Sequence, residues 1–545
     1  MNSFKHIIHR VKEDRQPYAV WNFFILLEIA LYLLGTIRLD ISLNLLFLLF
    51  VLLPSPKFSA AYRSFGIIRF ALTMILAVLL LWHQSWLPAP TQVVSLLGLY
   101  GLPSFDYMFN FLQGIFTMST LLSLALIAVA SFLLSRLRLV NLAVLPSALI
   151  IAPFVSAQFM DTDESYALAG IATAEAAEME PARYLKAFYE AEAGRKVMFN
   201  TPTEEQAPFD IVVLHVCSLS WDDMKKIDLD YDSPFFSQFD YLFSNFNTAT
   251  GYSTPAVRRL LQANCGQQTH KAIHDDNPPE GCLLFNSLDS AGFQTYVGMS
   301  HDGEYGNFLK TIEQLVPKET TVLPIKGLQQ QAIFFDGETP LVNDYDVLKR
   351  WHKTRESSEA ERAALYYNSV LLHAGIRWVG EKRSRKDKEQ FTDVTLALLE
   401  DMQSFIDELK SSGRNTVVVF VPEHGRALDG TRIQPADVRD IPLPAITKVP
   451  LGVKLVGPKF NDASVKQKLV TKPTSYLAVS WLLSRFVENS PFGENAPSAD
   501  ALAFQIPRTE FVAEHEGRVV MEMDEKLFYR DTNGEWSPLT ARQLK

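Results

Sequence analysis

The 545-residue sequence has few charges over its first 158 residues and only three cysteines in all. Up to Gln158, ten basic and five acidic residues interrupt long runs of Leu, Ile, Val, Phe and Ala. The rest of the chain carries 41 of the 51 basic and 56 of the 61 acidic residues. Nucleic-acid-binding domains carry clusters of basic residues, and this acidic region does not resemble them. We therefore expect no nucleic-acid partner. The length and the change in composition predict more than one domain.

Apolar segments dominate the region before residue 160, and they predict an α-helical membrane domain of five transmembrane helices. Their limits are about 18–37, 41–53, 65–82, 111–134 and 140–159. Most approach the roughly 20 apolar residues that cross a bilayer, whereas the second is short. Their recurrence argues against a cleaved signal peptide. Glu28 lies inside the first segment, where we favour an inter-helix hydrogen bond over a functional role.

Basic residues flank these segments at positions 5–15, 57–69 and 136–138. The positive-inside rule then puts the N-terminus in the cytoplasm and everything after the fifth segment outside. If the second segment does not span the membrane, this parity is reversed.

The cysteines test that topology. Cys265 and Cys282 flank a loop rich in Gly, Asn, Asp and Pro, and in an oxidising compartment such a pair predicts a disulfide. The bond would stabilise the fold by about 3 kcal/mol in the chain-entropy model. Two free thiols are the alternative if the domain is cytoplasmic. Cys217 is left over and needs a separate explanation.

The remainder divides into a helical linker over 161–207 and a catalytic domain over 208–545. In the catalytic domain, apolar β-branched runs alternate with helical patterns, which predicts an α/β fold with a mainly parallel central sheet. The clearest strands are 209–217, 292–300 and 415–425, and the clearest helices are 255–265, ended by Gly266, and 389–409. Active sites in such sheets lie beyond the carboxyl ends of the strands.

Two of these strand ends carry candidate metal ligands. The first run finishes at Cys217, and the later one finishes at Glu423 and His424. A thiolate, a carboxylate and an imidazole at one sheet edge suit a single Zn²⁺ ion. A buried core thiol and an ordinary turn are the alternatives for these residues. We favour the metal site because the two strand ends occur together.

Ser253 stands in the stretch "ATGYSTPAVRR", where a polar cluster runs into Pro255 and a helical pattern. The start of a helix offers free N–H groups to a phosphate. Ser253 is therefore either an N-cap, a position that serine favours, or a nucleophile whose hydroxyl a metal acidifies. The two roles are compatible.

Taken together, the motifs "VCSLSWDDM", "GYSTPAVRRLLQANCGQ" and "VPEHGRA", preceded by membrane segments, resemble the membrane-anchored phosphoethanolamine transferases of the alkaline-phosphatase superfamily. Lipid A-modifying members usually have Glu at the first strand end, Thr as the nucleophile and Asp-His at the later strand end. This chain departs from that pattern and is similar instead to the members that modify cellulose. The resemblance covers essentially the whole chain.

The resemblance implies an alkaline-phosphatase-like catalytic domain that holds one zinc ion, with Ser253 as both ligand and nucleophile. The implied zinc ligands are Cys217, Ser253, Glu423 and His424, and the further implied active-site residues are Tyr252, His373 and Arg439. His373 has an alternative as a satisfied loop histidine, and Arg439 as half of a surface ion pair. His301 and Asp302 follow another predicted strand and are weaker candidates.

The implied reaction takes phosphoethanolamine from phosphatidylethanolamine and passes it, through a covalent serine intermediate, to the C6 hydroxyl of glucose in cellulose. The protein would be embedded in a bacterial inner membrane, with its catalytic domain in the periplasm beside the subunits of the cellulose synthase complex. Other acceptors, including lipid A, use the same chemistry. A non-catalytic assembly factor is a further alternative. A sulfatase or phosphodiesterase is another, although "STPAVRR" lacks the C/S-x-P-x-R spacing of sulfatases.

Overall fold

A computed structural model gives the fold of the chain. It describes residues 18–52, 62–87, 105, 108–109, 118–137, 144–159, 174–203, 205–381, 387–461, 467–494 and 496–544. The flanking basic residues at 5–15 and the first part of the fourth predicted apolar segment lie outside these ranges.

Apolar helices occur at all five predicted positions: α1 (Tyr18–Leu34), α2 (Ile41–Leu52), α3 (Tyr62–Gln84), α4 (Met118–Leu134) and α5 (Leu145–Phe159). Within the described residues, only Ile67–Gln84 of α3 is long and apolar enough to cross a membrane, with a mean hydropathy of 1.8. The apolar parts of α1, α2 and α4 are shorter, at 10–17 residues. The five-span topology therefore stays a prediction.

A polar contact joins the first three of these helices. Glu28 is fully buried and accepts a hydrogen bond of 2.8 Å from Nε2 of Gln84. The Oε1 atom of Gln84 in turn accepts one of 3.0 Å from Nδ2 of Asn44. Glu28 thus has the inter-helix hydrogen bond that we favoured from the sequence.

The later part of the chain alternates between helices and strands. The helices are α6 (Ala174–Ala193), α7 (Trp221–Lys226), α8 (Pro234–Ser237), α9 (Ser253–Leu261), α10 (His270–Ile273), α11 (Leu284–Ser290), α12 (Phe308–Glu313), α13 (Asp344–Glu356), α14 (Asp387–Ser412), α15 (Pro444–Thr447), α16 (Pro458–Asn461), α17 (Tyr476–Glu488) and α18 (Ala499–Gln505). The strands of the main sheet are β1 (Asp210–Val216), β2 (Tyr241–Asn247), β3 (Phe293–Met299), β4 (Thr321–Val322), β7 (Arg362–Ser369), β9 (Thr416–Pro422), β10 (Lys448–Val456) and β11 (Lys468–Val470).

Two smaller sheets accompany the main one. A three-stranded sheet contains β5 (Gln330–Ile333), β6 (Pro340–Val342) and β8 (Arg377–Trp378). A four-stranded antiparallel sheet near the end of the chain contains β12 (Val512–His515), β13 (Arg518–Met523), β14 (Lys526–Arg530) and β15 (Trp536–Pro538).

The eight strands of the main sheet lie in the order β11-β2-β10-β9-β1-β7-β3-β4. Only β10 is antiparallel to its neighbours, so the predicted α/β fold with a mainly parallel sheet is confirmed. Every residue of β1 is buried, and alternate side chains point to opposite faces. Ile211 and Val213 pack with α9, α11 and α17, whereas Val212 and Leu214 pack with α7, α13 and α14. Helices therefore cover both faces.

The linker helix α6 is part of the folded domain surface. Its Leu185 and Phe188 pack against Val512, Val519 and Met521 of the four-stranded sheet. The helix agrees with the helical character predicted for the linker.

The helix α9 is shorter than predicted, whereas the disulfide after it is present as predicted. The helix ends at Leu261 and not at Gly266. A Cβ atom at Gly266 would collide with the carbonyl oxygen of Glu192, so this glycine allows close packing against the end of α6 and does not end α9. The predicted disulfide between Cys265 and Cys282 is present, and Cys217 is a free, buried thiol.

Candidate active site

The ends of two neighbouring parallel strands bring the first candidates together. Val216 of β1 pairs with Pro422 of β9, so Cys217, directly after β1, and Glu423, directly after β9, lie side by side at the carboxyl ends of the two strands. The Glu423 amide donates to the Val216 carbonyl at 2.8 Å, which continues the pairing one residue further. Strand register thus fixes the spacing of the two side chains.

Four of the predicted residues converge at this edge. One donor atom each from Cys217, Glu423 and His424 lies within 4.8 Å of the others, and all three residues are fully buried. The Ser253 hydroxyl lies 3.3 Å from Nε2 of His424 and 3.7 Å from Sγ of Cys217. The sulfur is 4.0 Å from the same ring nitrogen.

Burial controls the electrostatics of this group. It raises the pKa of the Cys217 thiol to about 12, with the Glu423 charge as the second cause. Burial likewise raises the pKa of Glu423 to about 7 and, together with the charge of Arg439, lowers that of His424 well below its usual range. Desolvation therefore disfavours the anionic forms that ligate metals, and a bound cation would favour them.

The donor set fits a single metal ion. Oε2 of Glu423 is buried and has no hydrogen-bond partner in the described part of the chain. His424 donates through Nδ1 to the Gly425 carbonyl at 2.9 Å, which directs the lone pair of Nε2 toward Ser253 and Cys217. A thiolate, an imidazole and a carboxylate are the ligand types that Zn²⁺ prefers.

The turn after β9 is held by close packing. A Cβ atom at Gly425 would lie 2.6 Å from the Ser220 hydroxyl and 2.7 Å from Asp223, so this position requires glycine. Asp223 is fully buried and accepts hydrogen bonds from the amides of Arg426, at 2.6 Å, and Leu428, at 3.2 Å. These contacts fix the backbone on which His424 stands.

Ser253 is the first residue of α9 and not its N-cap, which corrects the capping role expected from the sequence. Tyr252 occupies the N-cap position in an extended conformation, without a side-chain capping bond. The serine hydroxyl faces His424 and Cys217. The Ser253 hydroxyl, which could cap an isolated helix, therefore contacts residues from other parts of the fold instead. Pro255 lies in the first turn, where its missing N–H costs no helical hydrogen bond.

Tyr252 and Arg439 adjoin the serine. The guanidinium of Arg439 donates from Nε to the Gly251 carbonyl at 3.0 Å, and its central carbon lies 5.1 Å from the centre of the Tyr252 ring. The Tyr252 hydroxyl donates to Oδ1 of Asp440 at 2.7 Å. Arg439 is only 5% exposed, which disagrees with a surface ion pair.

His373 lies farther out. Its ring stacks on Phe335 with centroids 4.7 Å apart, and Nδ1 contacts the Ala374 carbonyl at 2.8 Å. It is near enough to contribute to the electrostatic environment of His424. Burial lowers the pKa of His373 itself to about 3, so the ring is neutral at physiological pH.

Sequence reasoning missed Asn368, near the end of β7. Its amide donates to Oε1 of Glu423 at 2.6 Å and to the His215 carbonyl at 3.0 Å. Its Oδ1 contacts Nε2 of His301 at 3.0 Å, so the weaker candidate His301 connects to Glu423 through this residue. The available signal was a polar residue closing the apolar run "AALYYN".

Comparison with known proteins matches both parts of the chain to one family. Residues 21–152 match the N-terminal domain, and residues 167–536 the C-terminal domain, of the cellulose biosynthesis protein BcsG. Two curated proteins of that name, from Salmonella typhimurium and Escherichia coli K12, are each 32% identical over 547 residues, covering 95% of this chain and 95% of the relative.

Among solved structures, the chain is similar to the integral membrane lipooligosaccharide phosphoethanolamine transferase A from Neisseria meningitidis. The TM-score is 0.40 at 11% identity, covering 88% of this chain and 98% of that chain.

Both domains of one family match this chain, and the curated relatives are 32% identical to it over 95% of its length. This protein therefore belongs to the cellulose biosynthesis protein BcsG family.

Proposed function

We propose that this protein transfers phosphoethanolamine from phosphatidylethanolamine to glucose C6 hydroxyls of cellulose, through a covalent intermediate on Ser253. One observation carries the proposal. A serine hydroxyl at the start of a helix lies 3.3 Å from an imidazole nitrogen that belongs to a buried group able to hold a metal ion. A nucleophile, a metal site and free helix N–H groups at one point suit phosphoryl transfer.

Cys217, Glu423 and His424, with the Ser253 hydroxyl, would hold one zinc ion. When bound, such an ion acidifies the serine hydroxyl and stabilises negative charge on the phosphoryl oxygens. Oε2 of Glu423 is buried without a hydrogen-bond partner among the described residues, and it supports this ligand set together with the orientation of the His424 ring.

In the first step, the Ser253 oxygen attacks the phosphorus and a P–O bond to diacylglycerol breaks. The serine loses its proton, and the departing alkoxide gains one and leaves as diacylglycerol. The amides of Ser253 and Thr254 at the start of α9 lack intrahelical partners and can receive phosphoryl oxygens. Arg439, which is held against Gly251, adds positive charge beside them.

In the second step, the acceptor hydroxyl attacks the phosphorus of the serine intermediate and the bond to Ser253 breaks. His373 is our candidate for accepting the acceptor's proton, since Nδ1 donates to the Ala374 carbonyl at 2.8 Å and Nε2 is left as the acceptor. Burial lowers its pKa to about 3, and a phosphoryl anion beside the ring would raise that pKa toward the working range. We assign Tyr252 to positioning, because its hydroxyl ties the start of α9 to Asp440.

The placement that we propose is a multi-pass protein of the bacterial inner membrane. It comprises a transmembrane domain over 1–160, a linker over 161–207 and a periplasmic catalytic domain over 208–545. Large apolar side chains on the early helices are exposed, as lipid contact requires: Leu46 to 64%, Ile67 to 71% and Leu126 to 63%. The Cys265–Cys282 bond supports an oxidising compartment for the rest.

The partners in this proposal follow from the donor, the acceptor and the family. Phosphatidylethanolamine lies in the membrane that holds the early helices, and diacylglycerol can remain there. Cellulose is favoured as the acceptor because the curated relatives are named for cellulose biosynthesis. Subunits of the cellulose synthase complex are the proposed protein partners for the same reason.

The test uses the full chain in detergent with a chromogenic phosphoethanolamine ester. Ser253→Ala should abolish cleavage, whereas Ser244→Ala, at a half-buried serine on β2, should retain it. Full activity of Ser253→Ala would contradict the nucleophile. Nuclear magnetic resonance of cellulose from cells with each variant tests the acceptor, because the modification should vanish only with Ser253→Ala.

A further inference from the structure

An ion pair and an aromatic contact join the early helices to the end of the chain. Arg38, between α1 and α2, pairs with Asp531 at 3.0 Å, and its guanidinium carbon lies 4.3 Å from the centre of the Trp86 ring. The Trp86 ring packs edge-on against Tyr529 of β14, with centroids 5.5 Å apart. We call Arg38, Trp86, Tyr529 and Asp531 the clasp.

Arg38 and Trp86, the two clasp residues from the early part of the chain, lie on backbone segments that are hydrogen-bonded to each other. The Arg38 amide donates to the Gln84 carbonyl at 2.8 Å, and Ile37 forms an antiparallel bridge with Ser85. The connection after α1 is thereby fixed to the end of α3. The clasp consequently links two early helices, and not one loose loop, to the four-stranded sheet.

Two further arginines of the later domain reach the end of α1. Arg432 donates to the Leu34 carbonyl at 3.1 Å, and Arg542 donates to the Leu33 carbonyl. The last carbonyls of a helix lack intrahelical partners and carry partial negative charge, so cationic donors stabilise them. These contacts are independent of the clasp and act on the same junction.

The junction also touches the segment that follows the candidate active site. Trp86 belongs to an apolar cluster that contains Ile441 and Leu443. Ile441 comes directly after Asp440, the partner of the Tyr252 hydroxyl, and two residues after Arg439. The junction therefore packs against the same part of the later domain that carries Arg439 and Asp440.

We propose that the clasp is a positioning element that sets the height and orientation of Ser253 relative to the bilayer, so that the serine meets the phosphate of a membrane lipid. The inference rests on the proposed function, since it needs a donor in the membrane. A domain joined only by a flexible linker would sample many orientations, whereas a fixed one presents the nucleophile at the depth of the headgroup. A soluble donor needs no such orientation.

The test compares lipid and soluble donors on the same full-length preparations. The protein is placed in vesicles of phosphatidylethanolamine and phosphatidylglycerol with a cello-oligosaccharide, and released diacylglycerol is measured. Cleavage of a soluble chromogenic phosphoethanolamine ester is measured in parallel. The variants are Arg38→Ala, the conservative Arg38→Lys, and Arg530→Ala as a control on the same sheet, where Arg530 lies over Trp536.

We expect Arg38→Ala to lower kcat/KM for the lipid donor by about tenfold and to leave that for the soluble ester within about twofold. Arg38→Lys should recover most of the lipid activity, and Arg530→Ala should match the wild type with both donors. Equal lipid activity in Arg38→Ala would overturn the proposal, and so would a parallel loss with both donors. A wild type that cleaves the soluble ester but releases no diacylglycerol would contradict the proposed function, and the clasp's role with it.

Discussion

Asn368 donates a hydrogen bond of 2.6 Å to one oxygen of Glu423, and the other oxygen of that buried carboxylate has no hydrogen-bond partner in the described structure. Burying a carboxylate oxygen without a hydrogen bond costs free energy, and a bound cation would offset that cost. The amide of Asn368 fixes which oxygen remains available. Residues that orient ligands in this way strongly affect metal affinity.

Replacing Asn368 by Asp should therefore weaken zinc binding. A second carboxylate would face Glu423 in place of an amide donor, and we expect about a 10- to 100-fold loss in affinity. Competition with a chromogenic chelator measures it. Asn200→Asp is the matched control, because Asn200 donates to Glu488 at 3.0 Å in an exposed position. Equal affinities for the two variants would show that Asn368 does not orient Glu423.

Gly425→Ala should damage the site through packing. Its Cβ would approach Ser220 and Asp223 to less than 2.8 Å, so the turn that carries His424 must shift. We expect a loss of about 1–3 kcal/mol in stability and a loss of ester cleavage of at least about tenfold. The melting temperature and the cleavage rate are the measurements.

Gly194→Ala provides the comparison for that variant. Its added methyl group would meet nothing closer than the Ala191 carbonyl, at 3.7 Å. It should retain both stability and activity. A Gly425→Ala protein that behaved like Gly194→Ala would contradict the packing argument.

Asp344, at the start of α13, gives a prediction about pH. It is fully buried and accepts a hydrogen bond of 2.6 Å from Tyr367, and burial raises its pKa to about 7. An unfolded Asp titrates near 3.9. Between about pH 4 and 7 the unfolded chain therefore loses a proton that the folded chain keeps, so stability falls as pH rises, by up to about 1.4 kcal/mol per unit.

Asp344→Asn keeps a neutral acceptor for Tyr367 and removes this titration. The melting temperature of the variant relative to the wild type should rise as pH increases from about 4 to about 7 and level off above that range. Melting curves of both proteins in detergent across this range measure the difference. Parallel pH profiles would show that Asp344 does not retain its proton in the folded state.

The ends of β1 and β9 could be predicted because each is a largely apolar run followed by residue types that can bind metals. Buried parallel strands produce this pattern, and their carboxyl ends share one edge of the sheet. Asn368 could not be assigned in the same way. Its contact with Glu423 depends on β7 lying beside β1 on the side opposite β9, and strand order is a tertiary property.

Ser253 shows where local preference is overruled. Its residue type and position favour an N-cap, yet the chain enters α9 one residue earlier and Tyr252 takes that place. The contacts that decide this, with Cys217 and His424, come from other strands. The contact between Arg38 and Asp531, which are separated by 493 residues, could not be predicted from the sequence, because neither segment carries a motif.

The central claim is that Ser253 becomes covalently modified. The full-length protein, loaded with zinc and incubated with phosphatidylethanolamine but no glucan, should gain one phosphoethanolamine group, which peptide mass spectrometry should map to Ser253. Adding a cello-oligosaccharide should remove the group from the protein and place it on the sugar. Diacylglycerol release without modification of Ser253, or modification of another residue that the sugar discharges, would contradict the account.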